Sequence, residues 1–322
     1  MKIFVTRKIP KVGLELLKEK HEIEIFPHDG IPKKEEIIQG LKGKDGLLCL
    51  LSDPIDKDVI NSEIKLKMIA SYAVGYDNID VAAASKRKIP VSNTPGVLTD
   101  ATSEMAWALL FSVARRIVEG DKFTRAGKYY GWGPMLMLGQ DVANKTLGII
   151  GAGRIGTAVA EKSKGFNMKI LYFSKHKNEK LNRELNAKQV ELPILLKESD
   201  FVSIHVPLSD KTFHLIGEKE LKMMKENAVL VNTSRGPVID EKALVKALKK
   251  KWIFGAGLDV YENEPEINEE LFELDNVILQ PHSASATFDS RSKMAIMAAE
   301  NMIAGLKGEI PPNCVNPEIF NK

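Results

Sequence analysis

Three segments of the chain begin with an apolar strand and carry, after it, a polar residue that could transfer a proton or bind an anion. They are Val229–Gly236 with Arg235, Gly257–Pro265 with Glu264, and Ile278–His282 with His282. An imidazole titrates near physiological pH and can act as a general acid or base. A neighbouring carboxylate favours its imidazolium form, and a guanidinium can hold a carboxylate bidentately. Such a set suits the reduction of a carbonyl, which needs a proton donor and a cation that polarises the oxygen.

Taken singly, each residue has an ordinary structural interpretation. Arg235 could form a surface ion pair, Glu264 could be a charge at a helix start, and His282 could be a turn residue after Pro281. Ligands of open α/β sheets bind outside the carboxyl ends of the strands, so residues distant in sequence can converge there. The joint pattern therefore predicts Arg235, Glu264 and His282 as catalytic residues.

A glycine motif, Gly-Ala-Gly-Arg-Ile-Gly at Gly151–Gly156, follows the apolar strand Thr146–Ile150 and precedes a helix predicted over Ile155–Lys164. In this context the first glycine permits a tight turn, the second lets the backbone approach a pyrophosphate, and the third allows close packing of helix and strand. The helix N-terminus then holds the phosphates. The alternative is a plain tight turn, but the context predicts a bound dinucleotide.

The choice of dinucleotide depends on the end of the next strand. The strand predicted over Lys169–Phe173 is followed by Ser174, Lys175, His176 and Lys177. A site that prefers NAD usually has an acidic residue there for the ribose 2′-hydroxyl. A hydroxyl and basic groups suit the additional phosphate of NADP, although these lysines could be solvated loop charges. The sequence predicts NADP as the preferred cofactor, with NAD as a possible one.

Short apolar runs alternate with amphipathic helices along the chain, which predicts an α/β fold with two parallel sheets and helices on both faces. The first five strands are predicted at Ile3–Thr6, Glu22–Phe26, Gly46–Leu51, Met68–Val74 and Val91–Asn93. Six more are predicted at Thr146–Ile150, Lys169–Phe173, Phe201–Val206, Ala228–Asn232, Gly255–Val260 and Val277–Leu279. One long helix is predicted over about Asp100–Arg125, and a last one over Ser290–Lys307.

Composition excludes several classes of protein. A chain of 322 residues corresponds to about two domains. With 46 basic and 43 acidic residues it lacks the charge footprint of a nucleic-acid binder. Its longest apolar stretches, of about ten residues, are too short to cross a membrane. Two cysteines, Cys49 and Cys314, form no disulfide framework, which favours a reducing, cytoplasmic location. No metal site is predicted, because His21, His28 and His214 lack partners at ligand spacing, and His205 is interpreted as a hydrogen-bonded strand-end residue.

Together with Tyr72–Asp80 and Asn93–Thr102, these motifs give the chain a resemblance to a known family. Over essentially its whole length it resembles the D-isomer-specific 2-hydroxyacid dehydrogenases, most closely the glyoxylate/hydroxypyruvate reductases. The resemblance implies reduction of a small 2-keto acid to the D-2-hydroxy acid by hydride from NAD(P)H, with His282 as proton donor. Two alternatives remain: phosphoglycerate dehydrogenase or another member of the family, and a dinucleotide-sensing binding protein on the same fold.

The resemblance also implies two doubly wound domains and their ligands. A discontinuous, flavodoxin-like substrate domain would comprise residues 1–97 and 288–322, and a Rossmann cofactor domain residues 98–287. Cofactor contacts would come from Thr102, Gly151, Ala152, Gly153, Arg154, Ile155, Gly156, Ser174, Lys175, His176, Val206, Pro207, Thr212, Thr233, Ser234, Arg235, Asp259 and His282. Substrate contacts would come from Leu51, Ser52, Val74, Gly75, Arg235 and His282. The family forms homodimers through about residues 98–140, here with exposed Trp132 and Met135–Leu138.

One departure from the family pattern follows His282. Related reductases usually have Ile-Gly-Ser-Ala-Thr at this point, whereas this chain has Ser-Ala-Ser-Ala-Thr at Ser283–Thr287. Ala284 adds a methyl group where the backbone would pass the nicotinamide, and Ser283 adds a polar group. We expect the departure to affect fine substrate preference and cofactor affinity rather than the chemistry.

Overall fold

The computed structural model describes residues 1–321, which fall into two compact units. The first unit contains Met1–Leu98 and residues 286–321, and the second contains Thr99–Ser285. Each unit has one parallel β-sheet with helices packed against it. The predicted fold class, α/β with two parallel sheets, is therefore confirmed.

The strands occupy most of the predicted positions. They are β1 (Lys2–Val5), β2 (Glu22–Ile25), β3 (Gly46–Cys49), β4 (Met68–Ser71), β5 (Val91–Ser92), β6 (Thr146–Ile150), β7 (Lys169–Phe173), β8 (Lys188–Gln189), β9 (Phe201–Ile204), β10 (Val229–Asn232), β11 (Gly255–Leu258) and β12 (Val277–Leu279). The residues of β3, β4, β9, β10 and β11 are all buried. Strands covered on both faces are continuously apolar, as is typical of parallel sheets.

The helices connect these strands and cover the sheets. They are α1 (Lys11–Lys18), α2 (Lys34–Leu41), α3 (Lys57–Asn61), α4 (Val81–Lys86), α5 (Thr99–Ala114), α6 (Ile117–Arg125), α7 (Arg154–Lys162), α8 (Glu179–Leu185), α9 (Leu192–Glu198), α10 (Glu218–Leu221), α11 (Glu241–Lys249) and α12 (Phe288–Leu306). Although α12 follows the second unit in sequence, it packs against α1, β3 and β4 of the first unit. None of the helices in residues 1–321 is long and apolar enough to span a membrane.

The two sheets differ in strand order. The first unit has the order β2-β1-β3-β4-β5, and the second has β12-β11-β10-β9-β6-β7-β8. In the second sheet the chain starts at β6, extends to one side through β7 and β8, and then crosses over to β9. The strand order reverses between β6 and β9, and ligands of doubly wound sheets bind at such a point.

The single helix predicted over Asp100–Arg125 is wrong, because the structure has two helices there. The first ends at Ala114, and Arg116 adopts a left-handed backbone conformation with φ of 53°. The returning chain contributes to this break, since the amide of Gln140 donates to the carbonyl of Ala114 at 2.7 Å. The Arg116 guanidinium then pairs with Glu119 on the following turn.

Several short elements were not predicted, among them β8 and α3. The strand β8 has only two residues, Lys188 and Gln189, and both are exposed, so it gives no apolar run. The helix α3 has five residues and begins at an N-cap, Asp56, whose carboxylate accepts from the amides of Asp58 and Val59. Elements of this length show no periodicity to recognise.

Candidate active site

The predicted acid/base pair is in direct contact within the second unit. His282 follows β12 and Glu264 follows β11, and His282 Nδ1 lies 2.8 Å from Glu264 Oε2. The other carboxylate oxygen accepts from the Tyr261 amide at 2.9 Å. The two side chains are 24% and 29% exposed, so they are accessible to a small molecule. Because Nδ1 is held by the carboxylate, Nε2 is the ring atom available for proton exchange.

The surroundings of Glu264 keep it ionised. Burial by itself would raise the pKa of Glu264, but the hydrogen bond and charge of His282, the Tyr261 amide and the charge of Arg235 act in the opposite direction and lower it overall. Glu264 is therefore a carboxylate at neutral pH. Its contact with Nδ1 fixes the orientation of the His282 ring.

The backbone at His282 is held in an unusual conformation. Its φ is 52°, in the left-handed region that a non-glycine residue occupies at a cost of about 1–3 kcal/mol. The next two amides donate to the fully buried Asp259, from Ser283 to Oδ1 at 2.7 Å and from Ala284 to Oδ2 at 2.8 Å. Burial raises the pKa of Asp259, against the effect of these two hydrogen bonds. Asp259 thus pins the loop that presents His282.

A second pinned turn presents Arg235. The buried Asn232, at the end of β10, donates from Nδ2 to the carbonyl of Arg235 at 2.9 Å. Its Oδ1 accepts from the amide and the hydroxyl of Ser234 at 3.0 and 2.8 Å. Arg235 lies close enough for its charge to lower the pKa of Glu264. The structure therefore brings the three predicted catalytic residues together at the carboxyl edge of one sheet.

The glycine turn between β6 and α7 has the shape that a pyrophosphate requires. Gly151 has φ of 97°, and a Cβ there would lie 2.7 Å from the carbonyl of His205. A Cβ at Gly156 would overlap the carbonyl of Gly151, so only glycine lets the helix pack so closely. At Gly153, by contrast, a Cβ would meet open space, and α7 begins there without a side-chain cap. The uncapped helix N-terminus is thus open to an anion.

Other residues predicted to contact the cofactor lie on loops along the same edge of the sheet. Lys175 and His176 are exposed after β7. Ser174 occupies the position at which an NAD-specific site has a carboxylate. Thr212 shapes the loop after β9: its hydroxyl donates to the carbonyl of Pro207 at 2.7 Å and accepts from the Ser209 amide at 2.8 Å.

One buried polar atom at this edge has no partner within the protein. The Thr233 hydroxyl is buried, and among residues 1–321 nothing accepts from it or donates to it. Thr102, another predicted contact, is also buried. An orphaned hydroxyl, an open helix N-terminus and a glycine cradle together fit a nicotinamide dinucleotide.

The residues predicted to contact the substrate from the first unit lie on two joined loops. Ser52 follows β3 and accepts from Arg7 Nη2 at 2.6 Å, and the same guanidinium pairs with the buried Asp53 at 2.7 Å. Asn78 lies on the loop after β4, which carries Val74 and Gly75, and its Nδ2 donates to the carbonyls of Leu50 and Asp53 at 3.0 and 2.8 Å. The loop with Leu51 and Ser52 is therefore fixed to the loop with Val74 and Gly75.

Two histidines outside the catalytic set have structural partners. His205 Nε2 lies 2.8 Å from Ser203 Oγ, and burial lowers the pKa of His205 to about 3, so the ring is neutral. His214 Nε2 lies 2.9 Å from Glu262 Oε1, a pairing that the sequence analysis missed because it joins residues with no shared motif. The described part of the chain has no group of three or more His, Cys, Asp or Glu side chains that could hold a metal ion.

Comparison with known proteins identifies the family. Residues 107–284 match the model of the D-isomer specific 2-hydroxyacid dehydrogenase, NAD binding domain. The chain belongs to this family. It is 52% identical to a glyoxylate reductase of Thermococcus litoralis, covering 99% of this chain and 98% of the relative. It is 54% identical to a glyoxylate reductase of Korarchaeum cryptofilum, covering 99% and 96%.

A solved structure shows the same likeness. The NADPH-dependent glyoxylate/hydroxypyruvate reductase of Sinorhizobium meliloti, in complex with NADP and malonate, matches with a TM-score of 0.89. The two proteins are 30% identical, and the match covers 100% of this chain and 98% of the other. The predicted enzyme class is confirmed: the protein is an NAD(P)-dependent D-2-hydroxyacid dehydrogenase.

Proposed function

We propose that this dehydrogenase reduces glyoxylate or hydroxypyruvate to the D-2-hydroxy acid, with NADPH as the preferred reductant. The observation that carries the chemistry is the contact between His282 Nδ1 and Glu264 Oε2, which leaves Nε2 as the ring atom that can exchange a proton with the substrate. The substrate class is supported by relatives that are called glyoxylate reductases and are 52% and 54% identical over nearly the whole chain.

When bound, the dinucleotide would supply the hydride that reduces the carbonyl carbon of the 2-keto acid. His282 gives the Nε2 proton to the carbonyl oxygen as negative charge develops there, so that a hydroxyl group forms. Glu264 holds Nδ1 and keeps the ring oriented for the transfer. Arg235 polarises the carbonyl and holds the substrate carboxylate. Solvent then returns a proton to His282.

The first unit would supply the remaining substrate contacts. Backbone amides of Val74 and Gly75 would take the carboxylate, and Leu51 and Ser52 would line the other side. This proposal is supported by the way Asn78 and Arg7 immobilise these loops, because fixed donors bind an anion without an additional ordering cost. In this assignment the first unit is the substrate domain, and the second is the cofactor domain.

The preference for NADPH rests on the loop after β7. Ser174, Lys175 and His176 offer a hydroxyl and positive charge where an NAD-specific site has a carboxylate. The pyrophosphate would lie on Ala152–Ile155, with Val206, Pro207, Thr212, Thr233, Ser234 and Asp259 along the rest of the dinucleotide. The ratio of kcat/KM with NADPH to that with NADH measures this preference.

Assembly and location complete the proposal. We propose a homodimer formed through the segment between α6 and β6, where Tyr130, Trp132 and Met135 are 96%, 84% and 76% exposed. Large apolar side chains concentrated in one segment are typical of an interface. We propose a cytoplasmic location from the two unpaired cysteines, Cys49 and Cys314.

A substrate panel with both cofactors tests the function. Oxidation of NADPH and NADH is followed with glyoxylate, hydroxypyruvate, pyruvate and 3-phosphohydroxypyruvate. We expect the highest kcat/KM with NADPH and one of the first two acids. A clear maximum with the phosphorylated acid would indicate a phosphoglycerate dehydrogenase instead. Tight binding of a dinucleotide without turnover of any keto acid would indicate a sensor.

A further inference from the structure

One side chain joins the basic loop after β7 to the glycine turn. Asn178 follows Lys177 and is the N-cap of α8, where its Oδ1 accepts from the Leu181 amide at 3.0 Å. Its Nδ2 donates to the carbonyl of Ala152 at 3.0 Å and to Thr157 Oγ1 at 2.8 Å. Ala152 lies in the glycine turn, and Thr157 lies on the first turn of α7. A single amide group therefore caps one helix and holds the start of another.

The basic loop, residues 174–177, is held at both ends. At its C-terminal end the amide of Asn178 donates to the hydroxyl of the buried Tyr172 at 3.0 Å. At its N-terminal end the carbonyl of Ser174 accepts from Gln189 Nε2 at 2.8 Å. Lys175 and His176 lie exposed between these two points. A loop that is already ordered loses less conformational freedom when it binds an anion.

We propose that Asn178 is a positioning residue that fixes the basic loop relative to the glycine turn and thereby sets the preference between NADPH and NADH. This inference rests on the proposed function, in which the glycine turn binds the pyrophosphate and the basic loop binds the 2′-phosphate. The 2′-phosphate and the pyrophosphate are attached to the same ribose, so both subsites are filled together only within a narrow range of separations. Release of the loop would weaken binding of the 2′-phosphate and leave the contacts shared with NADH.

The capping and joining contacts of Asn178 can be separated by substitution. Capping needs only a side-chain oxygen, which serine also provides. Joining needs the amide Nδ2 and its reach to Ala152 and Thr157, and serine has neither. Asn178→Ser therefore preserves the start of α8 and removes the hydrogen bonds to the glycine turn at Ala152 and to α7 at Thr157. No charge changes, so the field at the basic loop is the same.

The test measures binding without catalysis, by isothermal titration calorimetry of the full chain with NADPH, NADH and adenosine 2′,5′-bisphosphate. Loss of two hydrogen bonds predicts that N178S raises the Kd of NADPH and of the bisphosphate about 5- to 10-fold. The Kd of NADH is expected to change less than about twofold, since its contacts are those that remain. Amide hydrogen exchange of residues 174–178 is expected to increase in the same variant.

A matched control makes the same replacement at another N-cap. Asn268 Oδ1 accepts from the Glu270 amide at 3.1 Å at the start of the short 3-10 helix Glu269–Leu271, which is distant in sequence from the basic loop. N268S should leave both dissociation constants and the exchange of residues 174–178 unchanged. Thr157→Val removes one of the two acceptors while leaving Asn178 as a cap, and it should shift the ratio in the same direction by a smaller factor.

The outcomes separate this inference from the proposed function. An unchanged ratio of the NADPH and NADH dissociation constants in N178S and T157V overturns the positioning role, whichever cofactor the wild type prefers. Equal weakening of both cofactors also overturns it. A wild type that prefers NADH contradicts the proposed NADPH preference, and a shift of the ratio in both variants would still support the role of Asn178. If N178S fails to fold, T157V decides.

Discussion

At the scale of single residues, the chemistry depends on a histidine that is fixed from two sides. Glu264 holds its Nδ1, and Asp259 holds the amides that follow it. Its backbone lies in the left-handed region, so the imidazole is aimed by the loop as well as by the carboxylate. Sequence reasoning selected His282 and Glu264 from residue type and strand position. It did not predict that Asp259 accepts hydrogen bonds from the loop after His282, because no sequence pattern indicates a hydrogen bond from a later backbone amide.

Replacement of His282 tests the proton donor directly. His282→Ala should lower kcat by roughly 10²–10⁴-fold, the range that general acid–base catalysis contributes. The Kd of NADPH should change far less than kcat, because the phosphate contacts lie on other loops. Steady-state kinetics and calorimetry measure the two quantities. His28→Ala, at an exposed histidine of the first unit, is the control. Equal turnover in wild type and H282A would remove His282 from the proposed role.

Glu264 makes the stability of the protein depend on pH. Its pKa in the folded state is lowered, because the contacts with His282, Tyr261 and Arg235 outweigh the effect of burial. A carboxyl group with a lowered pKa stabilises the fold above its unfolded pKa of about 4.3, and this contribution is lost as the pH falls through the folded pKa. The Tm difference between wild type and Glu264→Gln should thus be positive at pH 6–7 and shrink below about pH 4. A difference independent of pH would contradict this linkage.

At the scale of elements, the hydrophobic pattern was sufficient to predict the strands of the sheets, but it was not sufficient to predict the segments that connect them. The longer strands and the glycine helix lie where apolar runs and turn residues predict them. The break at Arg116 was missed because the hydrogen bond that contributes to it, from Gln140 to Ala114, comes from a later segment of the chain. The pair of His214 and Glu262 was missed for the same reason. Local pattern determines which residues form an element, and distant contacts determine where it ends.

Substitution by alanine should have different effects at two glycines of the same turn. At Gly156 a Cβ would overlap the carbonyl of Gly151, so Gly156→Ala should lower the free energy of unfolding by about 1–3 kcal/mol. At Gly153 a Cβ would enter open space, so Gly153→Ala should fold normally and bind NADPH and NADH more weakly, because the methyl group occupies the approach of the pyrophosphate. Thermal unfolding and calorimetry distinguish the two. Unchanged cofactor binding in G153A would mean that the dinucleotide does not approach this turn.

At the scale of the whole molecule, the order in which the two units occur along the chain explains how each can have its own proposed function. The second unit is inserted between Leu98 and residue 286 of the first, and α12 returns to pack on α1, β3 and β4. Both ends of the chain thus stabilise the first sheet, whose loops hold the proposed substrate contacts. The second sheet carries the glycine turn and the His282 pair on one continuous edge. Each sheet can be tested by substitutions within its own unit.

The proposed homodimer is tested by making the exposed segment after α6 polar. The double variant Trp132→Ser and Met135→Ser removes two side chains that are 84% and 76% exposed and contribute little to the fold of one chain. Sedimentation of the wild type should give twice the chain mass of 35.7 kDa, and the double variant should sediment as a monomer with retained secondary structure. Ile64→Ser, at a 91% exposed residue of the first unit, should remain dimeric. A monomeric wild type would contradict the proposed homodimer.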